Sequence, residues 1–293
     1  MKPGRFAYHA PRELDEALAL LKEYGDEAKV LAGGQSLMPI LNFRLTQIEH
    51  LIDINRLGGG LDEPRVEADT ITIPALVRQR QVERSAAMAR ALPILTDALR
   101  VVAHPQIRNR GTICGSLAHA DPAAELPSVM AALDARFTIV SADGVRTLDA
   151  AEFFVFHLTT ALDAEEMILE VTIDRPPEGT YSAFHEFATR HGDFALAGVA
   201  VTCALDDAGV VTGCRVAAAG IAPTPQRLSA VEGLATGNRL DEALLAEIDA
   251  AARAEADPTS DIHASAAYRG RLTGVLVKRA LADVRTQQEA AHA

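Results

Sequence analysis

The chain has 293 residues, 48% of them hydrophobic and 23% charged, and carries a formal net charge of −12. That is the length of one large or two ordinary domains, with the composition of a soluble globular protein able to bury a substantial core. The acidic balance, with no long basic run, excludes nucleic acid and anionic membrane surfaces as expected partners, and no window is apolar for long enough to span a membrane.

The opening Met1-Lys2-Pro3-Gly4-Arg5 has no apolar run behind it and does not read as a signal peptide. Cys114, Cys203 and Cys214 are the only cysteines, an odd number without a Cys-x-x-Cys pair. The expectation is a reduced, cytoplasmic chain that cannot build an iron–sulfur cluster alone. His104, His119, His185 and His191 lie too far apart for a metal site of zinc type, so no metal ligands are predicted.

In chain order, Phe6–His9 reads as a strand. Leu14, Leu18 and Leu21 then recur at helical spacing, with acids in the first turn and Gly25 after the end. Lys29–Ala32 is a short apolar strand that turns on Gly33-Gly34, offers Gln35-Ser36, and continues as a helix from Leu37. Paired glycines bring backbone N–H groups against a ligand, and a helix start adds its positive end, a combination that suits a diphosphate. The pattern is neither Gly-x-Gly-x-x-Gly nor a P-loop, and taken alone it also fits an ordinary strand-to-helix turn. His50–Ile54 supplies a further strand, closed by Asn55.

A hairpin is predicted over residues 65–74, turning at Ala68-Asp69, with helices over Gln79–Arg84 and Pro93–Val102. Between His104 and Pro127 small residues are dense. Gly111 and Gly115 permit unusual backbone angles, and Thr112 and Ser116 carry hydroxyls that can donate to anionic oxygen. A helix is predicted from Pro122 to Leu133 with Asp121 as its N-cap. Phe137–Val140 and Gly144–Leu148 form a hairpin, and Glu166–Ile173 alternates as a strand. Asp174–Gly179 is the clearest linker. Past it come strands over Tyr181–Ala188, Leu196–Leu205 and Val210–Ala219, with Cys203 and Cys214 as small core residues, then helices over Gln226–Thr236, Asp241–Ala256 and Ala264–Gln288.

The two glycine-rich stretches, Ala32–Leu37 and Gln106–Pro122, together resemble the FAD loops of the medium subunit of the molybdenum hydroxylases, the xanthine dehydrogenase and aerobic carbon monoxide dehydrogenase family. Arg190-His191-Gly192-Asp193-Phe194-Ala195 resembles a third element of that family, and the resemblance covers nearly the whole chain. It implies an α+β fold. A two-subdomain FAD-binding domain of the p-cresol methylhydroxylase type would occupy residues 1–176, divided near 57/58. A small C-terminal domain of the carbon monoxide dehydrogenase flavoprotein type, a three-stranded antiparallel sheet with a helix bundle, would occupy 177–290.

The resemblance also implies roles. Val30, Leu31, Ala32, Gly33, Gly34, Gln35, Ser36 and Leu37 would wrap the FAD diphosphate, with Thr112, Ile113, Cys114, Gly115 and Ser116, and Val102 and Ala118 belong to the same cofactor-binding set. Glu125 matches an acidic position on the ribose or diphosphate side of the cofactor. Ile168 matches a position whose backbone meets the flavin, His185 one that is basic in some relatives, and Phe194 one beside an isoalloxazine face. Two positions depart from the pattern. Cys114 replaces a usual glycine, so its side chain either points away from the diphosphate or is a reactive thiol; Phe194 stands where many relatives carry tyrosine.

The function so implied is that of an electron-transfer subunit. Substrate would be hydroxylated at a molybdenum cofactor on a large partner subunit, and electrons would pass through [2Fe–2S] clusters on a small one to FAD here, then to an external acceptor. A dimer of heterotrimers is the family arrangement. The residues show no acid, base or nucleophile constellation, which suits such a role, and carbon monoxide, N-heteroaromatic rings and aldehydes are all compatible substrates. A self-contained FAD-dependent oxidase or reductase is the alternative, and a non-enzymatic binding module without flavin is a third reading.

Overall fold

The computed structural model describes residues 2–292. Strand β1 (Ala7–His9) leads through helix α1 (Leu14–Tyr24) to β2 (Ala28–Leu31), and helix α2 (Leu37–Phe43) leads on to β3 (His50–Asp53). The three strands are parallel, with β3 between β1 and β2. Ala17, Leu18 and Leu21 form the buried stripe of α1 and share a core with Ile52 and Ile54. Because β2 ends where the glycines begin, the turn leaves the sheet at its C-terminal edge, where open α/β sheets bind ligands.

The middle of the chain follows with β4 (Arg65–Val66) and β5 (Thr70–Pro74), then helices α3 (Gln79–Arg84), α4 (Ala86–Ala91), α5 (Pro93–Val101), α6 (Pro105–Arg108), α7 (Ile113–His119) and α8 (Glu125–Ala132). After these come β6 (Arg136–Ser141), β7 (Gly144–Asp149), the short helix α9 (Ala150–Phe153), the hairpin β8 (Phe154–Phe156) and β9 (Thr159–Thr160), and β10 (Met167–Asp174). Strands β4, β5, β10, β6 and β7 make one antiparallel sheet in that order. Ile71, Ile73, Phe137, Val171 and Ile173 are fully buried in its core, where Phe137 stacks on Phe153 at 3.9 Å.

Helix α8 is the centrepiece of the packing. All eight of its residues are buried, as befits a helix apolar nearly all round. It starts at Glu125, three residues later than the sequence suggests, and Asp121 is not its cap. Asp121 instead accepts the Ala123 N–H at 2.9 Å in a separate turn. The reason is Pro127: in a helix begun at Pro122 it would fall in the second turn and break an i→i−4 bond, whereas a start at Glu125 places it in the first turn, where no N–H is required.

Beyond the linker, β11 (Thr180–Ala188), β12 (Ala195–Leu205), β13 (Val211–Ala219) and β14 (Gln226–Arg227) form an antiparallel sheet, followed by α10 (Ser229–Ala235), α11 (Glu242–Glu255) and α12 (Ala266–Ala291). The sheet has four strands where three were expected. Gln226 and Arg227 pair with Ala218 and Ala217 instead of starting a helix, which lets Arg227 reach Glu232 at 2.6 Å and Asp134 at 2.7 Å. Strand alternation gives the sheet two faces. Ala183, Val199, Val201 and Cys203 share a core with Leu276, Val277 and Ala280 of α12. Phe184, Ala200 and Ala217 join the core of α5 and α8, and Thr202 donates to Ala132 O at 3.1 Å. Cys203 is fully buried and Cys214, its cross-strand partner, only partly so; both are free thiols. Among the described residues no helix is long and apolar enough to cross a membrane.

Candidate cofactor-binding site

The first loop emerges from β2 with Gly33 buried and Gly34 at φ +72°, a left-handed conformation that disfavours any side chain. Among the described residues, the backbone N–H groups of Gly33, Gly34, Gln35 and Ser36 find no intramolecular acceptor. A row of uncommitted donors in a tight turn is a nest for anionic oxygen. Asn55 fastens the turn from behind, its Nδ2 donating to Ala32 O at 2.8 Å and to Asp53 Oδ1 at 2.6 Å.

The second loop is held by its own backbone. Gln79 N–H donates to Gly111 O at 2.9 Å, Ile113 N–H to Val77 O at 3.1 Å, and Thr112 Oγ1 caps α7 by accepting the Gly115 N–H at 3.0 Å. That cap occupies the Thr112 oxygen and leaves the half-buried Ser116 as the uncommitted hydroxyl of the pair. The two loops touch backbone to backbone: a Cβ on Gly33 would lie 2.6 Å from Arg110 O and 2.8 Å from Gly111 Cα. Arg78 joins them, its guanidinium donating to Arg110 O in the second loop and to Asn55 Oδ1 behind the first. Burial, with the neighbouring Arg110 adding to it and Asp53 and Asp62 opposing, presses the Arg78 pKa down.

The two loops therefore meet at Gly33 against Arg110–Thr112 and at Ala32 against Gly115, with Thr112, Ile113 and Cys114 themselves buried and Ala118 exposed on α7. Cys114 is buried and its Sγ donates to Ile73 O at 3.5 Å, with the thiol pushed up to about 12 by burial. Its side chain points into the core, so the loop can use only its backbone, and the reactive-thiol reading is excluded. Val102 is buried, its carbonyl accepting from Arg108 at 2.7 Å. Next to it, Gly192 approaches Ala103 O so closely that a Cβ would lie 2.9 Å away, which ties the third family-like element to the end of α5. Ile168 is buried with its side chain in the core, leaving only its backbone available.

Glu125 heads α8 and is 7% exposed. Burial, the largest influence, pushes its carboxyl up to about 7; Asp121 adds to the rise and Arg108 opposes it. Phe194 is 64% exposed and lines a cleft of about 890 Å³, facing Asp121, Pro122 and His157, with its ring open to stacking. His185 does not join them. Its Nε2 hydrogen-bonds Asp283 of α12 at 2.8 Å, on the helix-covered face of the C-terminal sheet. Strand alternation gives the other face to its neighbour Glu186, opposite Gly198.

Two participants were not anticipated from the sequence: Asn55 and Arg78. A polar residue just past an apolar strand was a signal for Asn55. Arg78 had no local signal. The spacing argument also missed Glu27, Glu49 and His50, whose ligand atoms lie within 4.8 Å of one another; they sit at the N-terminal ends of β2 and β3, a strand's length from the glycine turn. The groups that converge on the two loops are amide, hydroxyl and guanidinium, which bind and orient and do not break bonds.

A family model described as the FAD binding domain in molybdopterin dehydrogenase matches residues 4–176, and one described as the CO dehydrogenase flavoprotein C-terminal domain matches residues 182–284. The chain is 42% identical over 282 residues to a 6-hydroxypseudooxynicotine dehydrogenase complex subunit alpha of Paenarthrobacter nicotinovorans, covering 96% of this chain and 95% of the relative. It superposes on carbon monoxide dehydrogenase from Hydrogenophaga pseudoflava with a TM-score of 0.93 at 37% identity, covering 98% of this chain and 99% of that one. Quinoline 2-oxidoreductase from Pseudomonas putida 86 also gives a TM-score of 0.93, at 34% identity and 98% and 99% coverage.

Proposed function

The chain belongs to the FAD-binding flavoproteins of the molybdopterin dehydrogenases, an oxidoreductase family, and from that premise we propose that it is the electron-transfer subunit of a multi-subunit molybdenum hydroxylase. It would act in the cytoplasm as one of three kinds of subunit, beside a small one bearing [2Fe–2S] clusters and a large one bearing the molybdenum cofactor, in a dimer of heterotrimers. Relatives named as complex subunits and medium chains support a partnered role. FAD, when bound, supplies the exchange between single-electron delivery from iron–sulfur clusters and a two-electron product for an external acceptor.

The observation that carries this reading is the meeting of the two loops. Gly33, Gly34, Gln35 and Ser36 offer a row of free N–H donors against the backbone of Arg110–Thr112, with Arg78 and Arg110 beside them. That is a donor set for a diphosphate, and it leaves no room for a side chain at Gly33. Val30–Leu37 and Thr112–Ser116 would hold the diphosphate, with Val102 and Ala118 beside them and Glu125 on the ribose or diphosphate side. The Ile168 backbone and the Phe194 ring would flank the flavin. The match limits at 176 and 182 support a division of the chain into residues 1–176 and 177–290, with subdomains meeting near residue 57.

The test is a titration of the full-length chain with FAD, followed by visible absorbance, with acid release to identify the nucleotide. Stoichiometric FAD is expected. A folded chain that takes up no flavin in excess FAD would overturn the reading. Co-purification with an iron–sulfur and a molybdenum subunit tests the partnership.

A further inference from the structure

The face of the C-terminal sheet that meets the FAD-binding part carries, besides the Thr180 hydroxyl at the strand's start, one buried carboxyl oxygen without a partner among the described residues. Glu186 sits on β11 opposite Gly198, and its Oε2 is buried with no hydrogen bond among the described residues. A carboxyl oxygen enclosed in this way costs free energy unless something supplies a partner. Gly198 removes any side chain that could fill the space beside it; a Cβ there would rest 3.7 Å from Glu186 Cβ. The charges around it are few. Glu125 at the head of α8 is the one that acts on Glu186. Asp97 and Arg100 on α5 pair with each other at 2.8 Å, and on the opposite face of β11 Asp283 of α12 is taken by His185.

Resting on the FAD-binding reading, we propose that Glu186 is an additional contact of the cofactor, a carboxylic acid O–H presented from the C-terminal sheet to an acceptor oxygen or nitrogen of the isoalloxazine ring. The acid form is the one this environment favours. Burial, with Glu125 adding to it, pushes the Glu186 carboxyl up to about 8, so at neutral pH it holds its proton. A neutral acid in an enclosed site donates to an electron-rich group, and an ionised one repels it. A flavin carbonyl also satisfies the oxygen that the protein leaves unpaired.

FAD affinity of the full-length chain, measured by flavin fluorescence quenching between pH 6 and pH 9, tests this. Wild type is expected to bind FAD at pH 7 and to lose roughly tenfold or more in affinity by pH 9. Glu186→Gln keeps a donor and cannot ionise, so it should bind at pH 7 and hold that affinity to pH 9. Glu186→Ala should bind several-fold more weakly at all pH values. Glu125→Gln should move the wild-type fall-off to lower pH by removing a neighbouring negative charge. The inference is overturned if wild-type affinity is flat to pH 9, or if Glu186→Gln declines as wild type does. If wild type binds no FAD at any pH while its circular dichroism shows a folded chain, the FAD-binding reading itself falls and takes the inference with it.

Discussion

The two glycine-rich loops touch, yet they are built in different ways. The second is preformed: Gly111 and Ile113 are laced to Gln79 and Val77, Thr112 caps the helix that follows, and Cys114 anchors it in the core. The first has almost no bonds of its own. It is shaped by Gly34 and held in place by Asn55 and, through Asn55, by Arg78. The lesson is a division of labour. One loop is a rigid wall paid for by the fold, and the other keeps its donors uncommitted, to be satisfied by a ligand. Ligand binding should therefore order the first loop more than the second.

The largest way to break this arrangement is Gly33→Val. Its Cβ would lie 2.6 Å from a backbone oxygen of the other loop, and backbone cannot step aside cheaply. FAD affinity should fall by at least ~100-fold, about 2.7 kcal/mol, while circular dichroism stays folded. Binding within a few-fold of wild type would mean that the loops do not meet in solution. The pH dependence of stability comes next, on the second-loop side. Glu125 has a folded pKa of about 7, above its unfolded value, so the folded chain binds the extra proton. Its contribution is fully present below the unfolded carboxylate range and is lost as the pH rises to about 7. For the protein without cofactor the loss is on the order of 3 kcal/mol. Chemical denaturation across pH 5–8 should show the decline together with that of Glu186, whose carboxyl is likewise raised, and Glu125→Gln should remove only the Glu125 part and leave a shallower slope.

Arg78→Ala sharpens the comparison. It removes the tie between the loops and a positive charge beside the proposed diphosphate, worth roughly 1.5–3 kcal/mol. FAD affinity should drop about 10- to 100-fold, with the first loop gaining hydrogen-exchange mobility while the second does not. Arg78→Lys should recover only part, because an ammonium lacks the planar fork whose two separate nitrogens reach Arg110 O and Asn55 Oδ1. The smallest effect is expected for Cys114→Ala, a stability loss of about 1 kcal/mol from a small core cavity with FAD affinity unchanged. Rapid modification of native Cys114 by a thiol reagent would contradict its place in the core.

Much of this was written in local pattern. The strand–Gly-Gly–helix stretch, the hairpins and the long C-terminal strands all follow from alternation, helical spacing and turn residues, and these elements carry the loops. What could not be read was set by contacts distant in sequence. Arg78 bonds to Arg110 and Asn55, neither of which its own neighbourhood announces. Which of His185 and Glu186 faces the first half of the chain depends on which side of β11 the helices cover, a tertiary choice. The late start of α8 was legible in principle, since Pro127 forbids the earlier one; Pro122 and Asp121 offered a stronger local helix-start pattern and masked it.

The enclosure of α8 bears on how the chain must be made. During synthesis this helix emerges well before the strands that cover it, since β13 ends 87 residues after α8 does, at Ala219 against Ala132. At about 5–20 residues per second, an apolar helix surface stays bare for roughly 4–17 seconds on every ribosome. A nascent chain in that interval is a natural client for a holding chaperone, and a chain released at the linker would keep the bare surface permanently. Expressed alone, residues 1–176 should accumulate as insoluble protein, and co-expression with the missing half should rescue it.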